Sequence, residues 1–135
     1  MDILEKKGLL YTLVSGFHKN AKYKEYDAAP DSLLHKIFKF IDDNYCNDCT
    51  LAELAKSLGY EYTYLSRYFK KIVGISYNDY VNEYRISRVC YLLTNTDRSV
   101  LDISGECGFN SLRSLNRNFK ERLGISPIAY RAKGL

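Results

Sequence analysis

The sequence of this 135-residue chain repeats itself, and the repeat limits its fold more than any other feature. Leu65, Arg67, Phe69, Lys70, Gly74, Ile75, Ser76 and Tyr80 recur 50 residues later as Leu115, Arg117, Phe119, Lys120, Gly124, Ile125, Ser126 and Tyr130. Those eight identities fall within sixteen aligned positions. Upstream the offset is 49, where Leu54, Leu58 and Gly59 match Ile103, Cys107 and Gly108. One extra residue in the second turn accounts for the slip. The chain must build one small unit twice.

Apolar spacing says what that unit is. Helices are expected at residues 51–58, 62–72, 77–94, 99–107, 111–122 and 127–132. Two more are expected at 4–20 and from an Asp31 cap to Asn44, with Leu33, Leu34, Ile37, Phe38 and Ile41 inward. No segment alternates as a strand would, so the fold class is all-α. Each copy is a short helix, a glycine turn and a second helix, which is helix-turn-helix anatomy. Ala52, Leu54, Ala55 and Leu58 would pack the first helix on Leu65 and Phe69. Ile103, Ser104 and Cys107 take those places in the second copy.

With Leu65 and Phe69 inward, Thr63, Ser66, Arg67 and Lys70 fall on the outer face of the second helix. Arg113, Asn116, Arg117 and Lys120 do so in the second copy. Hydroxyl, amide and guanidinium groups match the donors and acceptors of base edges, and Lys or Arg at the far end suits phosphate. Any surface helix has a polar face; two copies of the same face favour double-stranded DNA as the partner. Base-facing candidates are Thr63, Ser66, Arg67, Leu112, Arg113, Asn116 and Arg117; phosphate candidates are Lys70, Lys71, Ser111 and Lys120.

Charge runs the same way. Residues 1–50 carry 7 Lys and Arg against 8 Asp and Glu, whereas residues 51–135 carry 13 against 8. Arginine appears only from Arg67 onward. Its planar fork suits phosphate and guanine edges better than a lysine does. A helical protein-interaction module meeting an acidic partner is the alternative reading of that basic face.

The residue inventory argues against an enzyme. The two histidines, His18 and His35, lie outside the repeat, and no nucleophile–base pair or phosphate-cradling glycine loop is present. Cys46-Asn-Asp-Cys49 has the gap of a zinc half-site, but Cys90 and Cys107, 17 apart, do not supply the other half. No metal and no cofactor is expected, and the cysteines read as small semi-buried thiols in a reducing cytosol. No apolar run reaches membrane-span length and no signal peptide is visible, which predicts a cytoplasmic protein with no membrane partner.

Leu51-Ala-Glu-Leu-Ala55, Gly59, Leu65-Ser-Arg67-Tyr-Phe69-Lys70, Gly74-Ile-Ser76, Tyr80 and Tyr84-Arg85-Ile86 together resemble the AraC/XylS transcription regulators. So do Leu92-Leu93, Val100, Ile103, Gly108-Phe109, Phe119-Lys120 and Gly124-Ile-Ser-Pro-Ile-Ala-Tyr-Arg131. The resemblance covers about residues 32–133. It implies two homeodomain-like helix-turn-helix subdomains, at about 51–72 and 99–122, joined by a long linker helix at about 77–94. The recognition helices would enter adjacent major-groove segments of one DNA face. An 18-residue connector is about 27 Å long, the scale of one ~34 Å DNA turn. The resemblance further implies sequence-specific regulation, as an activator, in a bacterial cytoplasm at the nucleoid, with RNA polymerase as a partner.

Four positions depart from the family pattern. Glu61 stands where a capping serine is usual, Ser104 for an alanine, Leu115 for a phenylalanine, and Leu112 at an often polar base-facing place. In the family a sensor and dimerisation domain commonly precedes the DNA-binding part, and the first 27 or so residues are too few for one. Residues 1–30 therefore read as a helix and linker forming the tail of a missing sensor, through which dimerisation would occur; a naturally short regulator without an effector is the alternative. Residues 31–135 read as the DNA-binding domain.

Overall fold

The computed structural model describes residues 32–133, which form seven α-helices and no strand. These are α1 (Leu33–Asn44), α2 (Leu51–Leu58), α3 (Tyr62–Val73), α4 (Tyr77–Asn95), α5 (Val100–Glu106), α6 (Leu112–Leu123) and α7 (Pro127–Ala132). The helix expected at 4–20 lies outside the described residues. Two compact units result, residues 32–82 and 83–133, with the boundary inside α4.

In the first unit α1 opens at Ser32, whose hydroxyl accepts the His35 N–H at 3.3 Å. Asp31, the expected cap, stands one residue too early. The spacing of Leu34, Ile37, Phe38 and Ile41 then turns one stripe inward, leaving Leu33 half-buried at its edge. Thr50 caps α2 by accepting the Glu53 N–H at 3.1 Å. Leu51, Leu54 and Ala55 form the buried stripe of α2, which puts Ala52 on the exposed side rather than against α3. Leu58 is half-buried.

Phe69 sits in the middle of this core, fully buried. It meets Phe38 at 6.3 Å and both Tyr77 and Tyr80 at 5.5 Å, always edge to face. Such pairs add about 0.5–1.5 kcal/mol each beyond burial.

The second unit repeats the plan. Ile86, Val89, Leu92 and Leu93 of α4 pack with Ile103, Cys107, Phe109, Leu115, Phe119, Leu123 and Tyr130. Phe119 meets Tyr130 edge to face at 5.5 Å, the partner of the Phe69–Tyr80 contact. Ser99 and Ser111 stand as caps outside α5 and α6 instead of within them, and α6 runs on to Leu123. Arg131 reaches back 38 and 35 residues: its Nε donates to the Leu93 carbonyl at 3.1 Å and its Nη2 to that of Thr96 at 3.2 Å. A guanidinium thus closes the carboxyl end of α4, where carbonyls and the helix dipole favour a cation.

The cysteines are more polarised than expected: Cys49, Cys90 and Cys107 are buried, and Cys46 is exposed. The two ends of the Cys46–Cys49 pair therefore sit in different surroundings. The Cys49 Sγ lies 3.3 Å from the Tyr77 hydroxyl. Burial pushes the Cys90 thiol up to about 12, against the opposing pull of its hydrogen bond with Tyr130. Burial also raises the Tyr130 phenol.

Candidate nucleic-acid interface

Each unit presents one helix, α3 or α6, on a short helix and a tight turn. At the turns the chain needs left-handed backbone, and Gly59 (φ 76°) and Gly108 (φ 89°) supply it without a Cβ penalty. The residue after each glycine then donates to the matching carbonyl: Tyr60 N–H to Ala55 and Phe109 N–H to Ser104, both at 3.0 Å. This closure satisfies the end of the first helix and redirects the chain.

Beyond the glycine the two turns differ by the extra residue. In the second, Phe109 is tucked into the core at 7% exposure, whereas Tyr60 stays 42% exposed in the first. The added length also delivers Ser111 to the cap of α6, where it accepts the Ser114 N–H at 3.0 Å. Glu61, at the start of α3 where the family pattern has a capping serine, makes no side-chain cap bond. Ser104, 1% exposed, donates from its hydroxyl to the Ser111 carbonyl at 3.3 Å. Ala55 has no such group, so this tie across the turn exists only in the second unit.

Leu65, Phe69 and Val73 face inward on α3, as Leu115, Phe119 and Leu123 do on α6. Helical spacing then fixes the outer lanes. Thr63, Arg67, Lys70 and Lys71 are exposed on α3, and Ser66 is half-buried at the edge of the lane. Ser111, Leu112, Arg113, Asn116, Arg117 and Lys120 are exposed on or beside α6, Leu112 at 37%. Ser111 spends its acceptor on the cap but keeps a hydroxyl proton to donate. Every candidate but Ser66 is therefore exposed to solvent.

The charge on these lanes is lopsided. Among its twelve residues α3 has Arg67, Lys70 and Lys71 and no acid. Among its twelve, α6 has Arg113, Arg117, Lys120 and Arg122 against Glu121 alone. Each helix thus carries three net positive charges at the surface, which favours a polyanion.

One feature escaped the sequence reading. Tyr60, Tyr64 and Tyr68 line one flank of α3 and its turn, with Tyr60–Tyr64 centroids 5.7 Å apart at 11° and Tyr64–Tyr68 at 6.1 Å and 18°. Their spacing of four is visible in the sequence, but the second copy does not repeat it. The places of Tyr64 and Tyr68 hold Ser114 and Asn118 on the second helix, and the counterpart of Tyr60 after the turn glycine is the buried Phe109.

An all-α pair of helix-turn-helix units, each offering a basic recognition helix, defines a DNA-binding regulator. A helix-turn-helix domain family model matches residues 54–133. The chain is 36% identical over 100 residues to the HTH-type transcriptional activator AarP of Providencia stuartii, covering 74% of each. It is 35% identical over 107 residues to the HTH-type transcriptional regulator YtdP of Bacillus subtilis, covering 79% of this chain and 13% of that one. Against the C-terminal domain of the response regulator AraT from Geobacillus stearothermophilus the TM-score is 0.71 at 27% identity, over 73% of this chain and 82% of that. Against the DNA-binding domain of AdpA, solved with a target DNA, it is 0.69 at 26% identity, over 73% and 88%. This chain belongs to the AraC-type family of helix-turn-helix transcriptional regulators. It spans most of AarP but a small part of longer relatives such as YtdP.

Proposed function

We propose that this regulator reads two adjacent major-groove segments, one with α3 and one with α6, and activates transcription there. The observation that carries the reading is the shared register of the outer lanes. Thr63, Arg67 and Lys70 on one helix correspond to Arg113, Arg117 and Lys120 on the other, all exposed. Arg67 and Arg117, at the centre of each lane, suit bidentate contact with guanine. Ser66, Leu112 and Asn116 complete the base-facing set, Leu112 by apolar contact with a thymine methyl. Lys70, Lys71, Ser111 and Lys120 meet phosphates.

Activation is supported by the similarity to AarP, whose name describes an activator. RNA polymerase is then a partner, and dimerisation belongs to a sensor region preceding the DNA-binding part. The site of action is the bacterial nucleoid, in the cytoplasm; no helix among the described residues is long and apolar enough to cross a membrane. The role is regulatory, without catalysis.

Random-site selection with the purified chain tests the reading. It should return two recurring blocks about one helical turn apart. Arg67→Ala should relax one block and Arg117→Ala the other, each by about 1–3 kcal/mol of discrimination. A selection that returns no motif would refute sequence-specific binding and favour an acidic protein partner.

A further inference from the structure

The tyrosine flank of α3 has no counterpart on α6. Tyr60 and Tyr64 are 42% and 51% exposed, large for aromatic rings on a folded surface. The rings stack nearly parallel, so each turn of helix holds one phenol in a fixed direction beside the next. Among the described residues neither the Tyr60 nor the Tyr64 hydroxyl takes part in a hydrogen bond. The flank borders a shallow hollow lined by Glu61, Thr63, Tyr64, Arg67, Tyr68 and Lys71. Arg67 and Lys71 outweigh Glu61, which stands at the amino-terminal end.

The matching flank of α6 is closed on itself. Asn118 donates to the Ser114 carbonyl at 2.9 Å, and Arg122 donates to the Asn118 carboxamide oxygen at 3.2 Å. Glu121 occupies the place of Lys71. One helix sets two exposed phenols beside Lys71; the other has a serine, an Asn118–Arg122 pair bonded to each other and Glu121 in the place of that lysine.

We infer that Tyr60 and Tyr64, with Lys71, form a clamp on the sugar–phosphate strand along one wall of the groove that α3 enters, a contact that α6 does not make. The inference rests on the DNA-binding reading. A helix lying in a major groove turns its outermost lane to the base edges and its flanks to the backbones, and phenol hydroxyls are regular phosphate donors. The tyrosines continue the Thr63–Arg67 lane on that side. Rigid stacked rings lose little freedom on binding. The two halves of the site are then held unequally, more firmly at the first unit.

Neutral donors give the tyrosines a signature that the lysine and arginine contacts lack. A phenol bonded to phosphate adds affinity without releasing a counterion, so its loss leaves the salt slope alone. It also reads no base, so the loss is the same on every sequence.

The test measures affinity for a random-sequence duplex and for a selected duplex across a salt series. Tyr64→Phe, which keeps the ring and the stack, should weaken both about five-fold, and Tyr60→Phe with Tyr64→Phe about twenty-fold. The slope of log affinity against log salt should not change. Lys71→Ala should lower that slope by about 0.9, and Ser114→Ala on the opposite helix should do nothing. Circular dichroism should show wild-type helicity throughout.

Unchanged affinity in the tyrosine variants, while the wild type binds DNA, would overturn the clamp alone and assign the flank to a protein partner. A loss confined to the selected duplex would also overturn it, because the tyrosines would then be reading bases. A wild-type chain that binds neither duplex would overturn the DNA-binding reading itself.

Discussion

The two helix-turn-helix units use the same residues to make a core and different residues to finish the job. Phe69 and Phe119 occupy the same place, each fully buried and each edge-on to the tyrosine eleven residues later, Tyr80 or Tyr130. What differs lies around that shared centre. The first unit encloses Phe69 with two further rings, Phe38 and Tyr77, starts its recognition helix on a glutamate that makes no cap bond and leaves a tyrosine flank exposed. The second spends an extra turn residue on burying Phe109, caps α6 with Ser111 and locks α4 with Arg131. Duplication preserved the packing that forms a recognition helix, and the edges were free to diverge.

The largest effect should come from removing the shared centre. Phe69→Ala and Phe119→Ala each delete a fully buried ring and leave a cavity, at a cost of about 3–5 kcal/mol. That is much of the stability of a small unit. If the units are alike in energy as well as plan, amide hydrogen exchange will show comparable loss of protection, each within its own unit. Equal loss across both units from either change would mean they unfold as one, and the comparison would have to be redrawn.

Next is Arg131→Ala. It removes two charge-assisted bonds to the Leu93 and Thr96 carbonyls, worth about 1.5–3 kcal/mol each by mutational standards, though water replaces part of this at a half-buried site. The expected melting-temperature drop should be accompanied by faster exchange at the carboxyl end of α4. DNA affinity measured well below the melt should be unaltered. Reduced affinity there would instead make Arg131 a DNA contact.

Alkaline pH should weaken the second unit through its buried thiol. Burial holds the Cys90 thiol near 12, above its ordinary 9.0. The unfolded chain therefore gives up that proton first, so the folded second unit has its full stability below pH about 9 and loses it as pH rises towards 12. By pH 10 the loss is about 1 kcal/mol, with Tyr130 adding to it at higher pH. Cys90→Ala should flatten that part of the pH profile. A profile indifferent to this substitution would show the thiol is less buried than the structure has it. Alkylation offers a parallel check: exposed Cys46 should react in the native protein and Cys90 should not.

How much of this the sequence disclosed follows from the range of each interaction. The helices were legible from apolar spacings of three and four residues, their pairing into two like units from the 50-residue repeat, and the uncapped Glu61 from its departure from the family pattern. Ala52 was misread because an alanine fits either side of a short helix, and only its neighbours Leu51, Leu54 and Ala55 together settle the stripe. The Arg131 cap spans 35 residues or more, and no local pattern announces it. Ser104 looked like a simple alanine replacement until its hydroxyl found the Ser111 carbonyl across the turn. The outer lanes were readable because both copies carry them. By the same logic the tyrosine flank was not: comparison of repeats picks out what they share.

The smallest effect is also the most direct exchange between the units. Glu61 has the extended backbone of a cap (φ −72°, ψ 139°) but offers no bond, whereas Ser111 makes one at 3.0 Å. Ser111→Ala should cost about 1 kcal/mol, and Glu61→Ser should gain up to about that much. The gain is the smaller of the two, because Glu61 already places a negative charge at the positive end of α3. The serine would trade that attraction for a hydrogen bond. Raising salt should therefore widen the gap between the wild type and the capped variant: screening weakens the glutamate's contribution and leaves the serine's bond intact, so the advantage of Glu61→Ser should grow. An advantage that shrinks with salt would mean that the carboxylate acts through some repulsion within the first unit, and that the two turns differ in more than a cap.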